Sequence, residues 1–127
     1  MLQSTRKAFT TLELVFVIAI IGILSAVAIP RLAISRDDAV VTKGRTAVAT
    51  LRTIVGTLRQ KRILQGNFTP VDGAAVEAQI QYGLGSDWNR TGNTFVFAGP
   101  RGNTCTFEVN ASKLVKTSCS VAGMEDL

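Results

Sequence analysis

The chain has no histidine, two cysteines, three prolines and few aromatics, which make up 6% of its 127 residues. Without histidine, both the usual general base near neutral pH and the commonest nitrogen ligand for metals are missing. Serine and threonine are plentiful, but no partner stands ready to activate them, and no lysine shows a sign of burial. Cys105 and Cys119 are too far apart in sequence for a C-x-x-C redox pair or half of a zinc site. These absences argue against an enzyme and leave no cofactor or metal site to expect.

The most telling lack is of charge. Leu14–Ile29 is sixteen residues without a charged side chain, and only Ser25 in it is polar. A helix over that run is ~24 Å long, short of a bilayer's hydrocarbon core. Extending it back to Phe9 gives ~31 Å, enough to span. The extension takes in Glu13. A carboxylate inside an apolar segment costs on the order of a few kcal/mol and persists only where something pairs with it. Arg6 and Lys7 precede the segment, so the positive-inside bias puts the short N-terminal end in the cytoplasm and the remainder outside. That compartment is oxidising, and a Cys105–Cys119 disulfide is the expectation.

On composition alone, the segment also suits an ordinary single-span anchor. It suits a secretory signal too, with Arg6 and Lys7 as the basic start and Ala26-Val27-Ala28 as the cleavage site. A fuller match comes from Arg6–Leu32, RKAFTTLELVFVIAIIGILSAVAIPRL. This stretch resembles the N-terminal signature of type IV pilins and of the pseudopilins of type II secretion systems. In that family a membrane prepilin peptidase cuts a short basic leader just before a Phe, and the new N-terminus is methylated. A Glu follows four residues later, and a Pro follows the apolar helix. Phe9, Glu13 and Pro30 match these positions; Ala8 departs from the Gly usual before the cut.

The resemblance implies cleavage between Ala8 and Phe9 and N-methylation of Phe9. It implies a monomer held in the inner membrane by a single span, its head outside the cytoplasm. An inner-membrane assembly platform would build such monomers, with other pilin-like subunits, into a homo-oligomeric helical filament in the periplasm or at the cell surface. Glu13 would pair with the N-terminal amine of a neighbouring copy, which matches its need for a cation in low dielectric. Pro30 would permit local unwinding of the helix on assembly.

The expected fold is α+β: a long N-terminal helix packed on a small C-terminal antiparallel sheet. The expected divisions are a leader (1–8), a membrane and assembly helix (9–30), an extracytoplasmic half of the helix (31–65), and a connector with the sheet head (66–127). Pro30 predicts a kink or loosened turn but no stop, because helical periodicity resumes at once. From Asp37 to Leu64 three stripes separate at 100° per residue. Val40, Ala47, Val48, Leu51, Ile54, Val55 and Leu58, with Gly44, form an apolar face for the sheet. Thr42, Thr46, Thr50, Thr53 and Thr57 form a small, mildly polar face suited to neighbouring helices, or simply to solvent. Arg45, Arg52 and Arg59 form a basic ridge. That ridge is the basis of a less favoured alternative, a stalked nucleic-acid-binding module or DNA-binding minor pilin; its bland counterpart is intersubunit pairing or solubility.

In the connector, Asp72 predicts the N-cap of a short helix, Gly73–Tyr82, ended by Gly83. Gly83–Gly92 reads as a loop pinned by Trp88. Three strands are expected: Thr94–Ala98, Thr104–Val109 and Leu114–Cys119. The last two form a hairpin around Asn110–Lys113. Setting Cys105 opposite Cys119 sets Phe107 opposite Thr117, Val109 opposite Val115 and Glu108 opposite Lys116. The disulfide would add ~3 kcal/mol in the chain-entropy model.

The sequons at Asn67, Asn89 and Asn110 read as turn chemistry. A C-terminal loop holds calcium in the major pseudopilin of type II secretion, and the resemblance raises that role for Glu125-Asp126, but two carboxylates fall short of the ~6–8 oxygens calcium takes and read as a solvated tail. Charge is uneven: Arg31–Arg62 carries +6, and the chain from Ile63 onward carries −2. A basic stem thus leads to a weakly acidic head.

Overall fold

The computed structural model describes residues 8–80 and 83–127, and the backbone alone at 30, 33 and 34. Met1–Lys7 of the expected leader, and Gln81 and Tyr82 of the expected short helix, lie outside the described residues. The chain divides into two compact units, one ending at Arg36 and one spanning Asp37–Leu127. Its element order is helix α1 (Thr11–Leu64), helix α2 (Gly73–Ala78), then strands β1 (Trp88–Thr91), β2 (Thr94–Ala98), β3 (Thr104–Asn110) and β4 (Lys113–Cys119).

In the first unit, α1 starts at a cap the sequence encodes. Thr10 Oγ1 accepts the backbone N–H of Glu13 at 3.2 Å. Thr10-x-x-Glu13 thus fits a capping box, with the Glu13 carboxylate in the first turn near the positive end of the helix dipole. The helical assignment runs through Pro30 without a stop, as the resumed periodicity requires.

In the second unit the apolar stripe of α1 faces the sheet. Gly44, Val48, Leu51, Val55 and Leu58 are buried, while Val40, Ala47 and Ile54 are half-buried. Opposite them, one face of the sheet contributes Phe95, Phe97, Cys105, Phe107, Val109 and Leu114. Val71 and Val76 from the connector, and Val121 and Met124 from the tail, close the core. Gly44 is where helix and sheet come closest: a Cβ there would lie 2.7 Å from the Phe97 ring. α1 ends where Gly66 takes a left-handed conformation, φ 71°. The Asn67 N–H then reaches the Arg62 carbonyl and the Gly66 N–H the Ile63 carbonyl, a Schellman closure.

The sheet has four antiparallel strands in the order β1-β2-β3-β4, not three. The added strand, Trp88–Thr91, falls in the stretch expected to be loop. It pairs with β2 through a two-residue turn in which Gly92 has φ 60°. Glycine at the first central position is what a type II′ hairpin requires. Trp88 does bear on the head, its ring 5.1 Å from Phe97 and 6.0 Å from Phe107 between centroids. Helix α2 is shorter than expected and stops at Ala78. Asp72 sits at its N-cap but its side chain makes no capping bond; the Gly73 N–H donates instead to Asn93 Oδ1 at 2.8 Å.

The expected β3–β4 register holds only at its open end. Cys105 faces Cys119 and Thr106 faces Ser118, but beyond that point the pairing shifts by one. Thr117 is the extra residue of a bulge, and Phe107 then faces Lys116, Glu108 faces Val115 and Val109 faces Leu114. The expected Glu108–Lys116 pair is therefore absent; the Lys116 ammonium donates to the Glu125 carbonyl instead. The shift places Leu114 in the core and leaves Val115 49% exposed on the other face. Burying the larger aliphatic favours the bulge over an unbroken ladder.

Candidate functional site

The described residues of the first unit include an apolar helical segment whose side chains are exposed. Thr11–Ile29 is long and apolar enough to cross a membrane, with mean hydropathy 2.8, and none of it is buried. Leu12, Phe16 and Ile23 are among its widely exposed side chains. Leaving a large apolar side chain in water costs ~1.5–3 kcal/mol relative to burial, so a run of this length is disfavoured by upwards of ~20 kcal/mol. Such a helix needs lipid or other chains around it. Ala8 and Phe9 precede α1 in exposed, non-helical backbone, the form in which a peptide bond is open to a peptidase. Glu13, two residues into α1, is exposed and makes no ion pair among the described residues.

The threonine face has a property that spacing alone does not reveal. Every hydroxyl on it bonds back to its own helix: Thr42 to the Asp38 carbonyl, Thr46 to Thr42, Thr50 to Thr46, Thr53 to Ala49 and Thr57 to Thr53, at 2.8–3.0 Å. The donors are satisfied within the helix, so covering the face leaves no hydroxyl proton without a partner. The face also extends beyond the threonines. At ~100° per residue, ten positions of Ala39–Leu64 lie within about 60° of the direction opposite the core. They are Ala39, Ala49, Gly56, Gln60, Leu64 and the five threonines, all exposed and none charged. Charges flank this sector: Lys43 and Lys61 lie on one side, and Arg45, Arg52 and Arg59 on the other.

The arginine ridge is not uniform. Arg45 holds Asp126 by two bonds, at 2.8 and 3.0 Å, and also donates to the Gly123 carbonyl. Its positive charge is matched within the same unit, while Arg52 and Arg59 are exposed and unpaired among the described residues. Four more ion pairs tie the unit together: Lys43–Asp87, Arg62–Asp72, Arg90–Glu77 and Arg101–Asp37.

Cys105 and Cys119 form a disulfide across directly paired positions of β3 and β4. The tail carboxylates are occupied, Asp126 by Arg45 and Glu125 by the Gly123 N–H at 2.8 Å. No group of three metal-ligating side chains forms among the described residues. Asn67 makes the expected turn, accepting from both the N–H and the hydroxyl of Thr69. Asn110 lies at the β3–β4 turn, whereas Asn89 lies within β1. No protein-family model and no solved structure matches the chain.

Proposed function

We propose that this chain is a structural subunit of a type IV-type filament, a pilin or type II secretion pseudopilin, polymerising through its N-terminal helix after cleavage between Ala8 and Phe9. The observation that carries the reading is a pair of exposed surfaces on α1, one within each unit, that no described residue of the same unit covers. Thr11–Ile29 is a bare apolar segment, and Ala39–Leu64 presents a charge-free outward sector with satisfied hydroxyls. A plain anchor needs only the first. A subunit that leaves the bilayer to stack its helix against its neighbours needs both, because the apolar segment must stay dry after extraction and the stem must pack closely.

In this reading the bilayer stores the monomer, and Glu13 meets the new amine of an adjacent copy as the helices assemble. The work is mechanical, extending a fibre or pushing a substrate outward. The nucleic-acid alternative is weakened by the Arg45–Asp126 pair, which reduces the ridge to two arginines.

The double variant Thr50→Arg, Thr53→Arg tests the stem. Both positions are exposed, so the chain should fold and insert normally yet form no filaments. Normal filaments from that variant would remove the stem from the interface.

A further inference from the structure

Ion pairing within the Asp37–Leu127 unit is selective. Five of its cations hold carboxylates, but among the described residues Arg52, Arg59, Lys61, Lys113 and Lys116 hold none, Lys116 donating instead to the Glu125 carbonyl. Three of these five, Arg52, Arg59 and Lys113, line adjoining hollows that share Ser112. One hollow, of about 330 Å³, lies between α1 and the start of β4, with Arg52 and Lys113 on its walls and Val55 and Leu114 beneath. The other, of about 190 Å³, continues past Arg59 to Ile63 and Phe68. No carboxylate lines either hollow. Phe68 is 80% exposed, although it is a large apolar side chain. The result is a groove with cationic walls, an apolar floor and an apolar end. Cations gathered without counter-charge favour an anionic occupant, and the aliphatic lining favours one that also brings apolar side chains.

The chain itself carries that chemistry elsewhere. The β-bulge places Glu108 opposite Val115 on the sheet face turned away from α1. Both are exposed, and Glu108 makes no ion pair among the described residues. We propose that the Glu108–Val115 face of one copy docks into the Arg52/Arg59/Lys113 groove of the next. The two surfaces differ, so the contact is heterologous, and each copy has one of each to offer. Contacts of this kind build rings where the rotation closes and open helical filaments where it does not. The proposal rests on the filament reading for its repetition, and adds to the stem contact a second one, between heads.

The test uses the full chain in its membrane, with photoreactive benzoylphenylalanine in place of Val115 or, reciprocally, of Phe68. Irradiation should give an adduct of two chains. From position 115 it should map to residues 52–59, 63–68 or 112–114; from position 68 it should map to 108–116. Glu108→Lys should lower the yield about fivefold, as loss of one interfacial charge pair does. Adding Arg52→Glu and Arg59→Glu should restore it. The contact is overturned if neither label gives a two-chain adduct, if the adduct maps elsewhere, or if the label attaches to nucleic acid or lipid. Electron microscopy of the same cells separates the two claims. Filaments without the adduct remove this contact alone, whereas the adduct without filaments keeps the contact and removes the filament.

Discussion

Arg45 holds Asp126 with both guanidinium Nη atoms, binding the last turn of the tail to the side of α1. The hydrogen bond from Arg45, with its charge, keeps the Asp126 carboxyl below its ordinary value of 3.8. A carboxyl whose pKa is lowered in the folded state stabilises the fold above the ordinary value and stops doing so as pH falls through the lowered one. In denaturant titrations the native chain should therefore exceed Asp126→Asn in stability by a constant margin above about pH 5, and the margin should close in acid. A margin that widens in acid would contradict the pairing.

Two glycines in α1 should respond to alanine with opposite signs. At Gly44 a Cβ meets the Phe97 ring at 2.7 Å and the Met124 sulfur at 3.2 Å. Gly44→Ala should destabilise the chain by about 1–3 kcal/mol through overpacking, despite the gain in helix propensity. At Gly56 a Cβ meets nothing within 4 Å. Gly56→Ala should stabilise the monomer by up to ~1 kcal/mol. Chemical denaturation of both variants checks the pair of signs.

Glu13 has a local role and a proposed intersubunit one, and glutamine separates them. Gln at the third position of a capping box serves the helix start nearly as well as Glu. It carries no charge to meet an amine. Glu13→Gln should therefore leave helix content and insertion unchanged while reducing filament number as severely as Glu13→Ala. Filaments at the native level from Glu13→Gln would leave the residue with its helix-capping role alone.

Much of the architecture was legible in the sequence because burial imposes periodicity. The stripe from Val48 to Leu58, the pairing of Cys105 with Cys119 and the end of the long helix near Leu64 all agree with the sequence pattern. β1 did not, because Trp88-Asn89-Arg90-Thr91 has a single apolar residue and its pairing comes from β2. The local signal for it is the adjacent Gly92-Asn93, a hairpin dipeptide between β1 and β2. The register failed for a different reason. Leu114 and Val115 are both apolar, so alternation could not choose between them, and a bulge at Thr117 reverses the parity that the cysteines suggest. At the surfaces, charge spacing marked the arginine ridge, but the Arg45–Asp126 pairing joins residues 81 apart in sequence and no local pattern encodes it. Thr10-x-x-Glu13 is a local signal for the cap of α1, because the hydroxyl and the acid stand three residues apart at the head of the apolar run.

The filament account stands most directly on what happens at Phe9. Intact mass spectrometry of the chain recovered from membranes measures it in one step. The account predicts a mature chain beginning at Phe9 with one added methyl and the Cys105–Cys119 disulfide intact. A soluble chain beginning at Ile29, cut after Ala28, would contradict it.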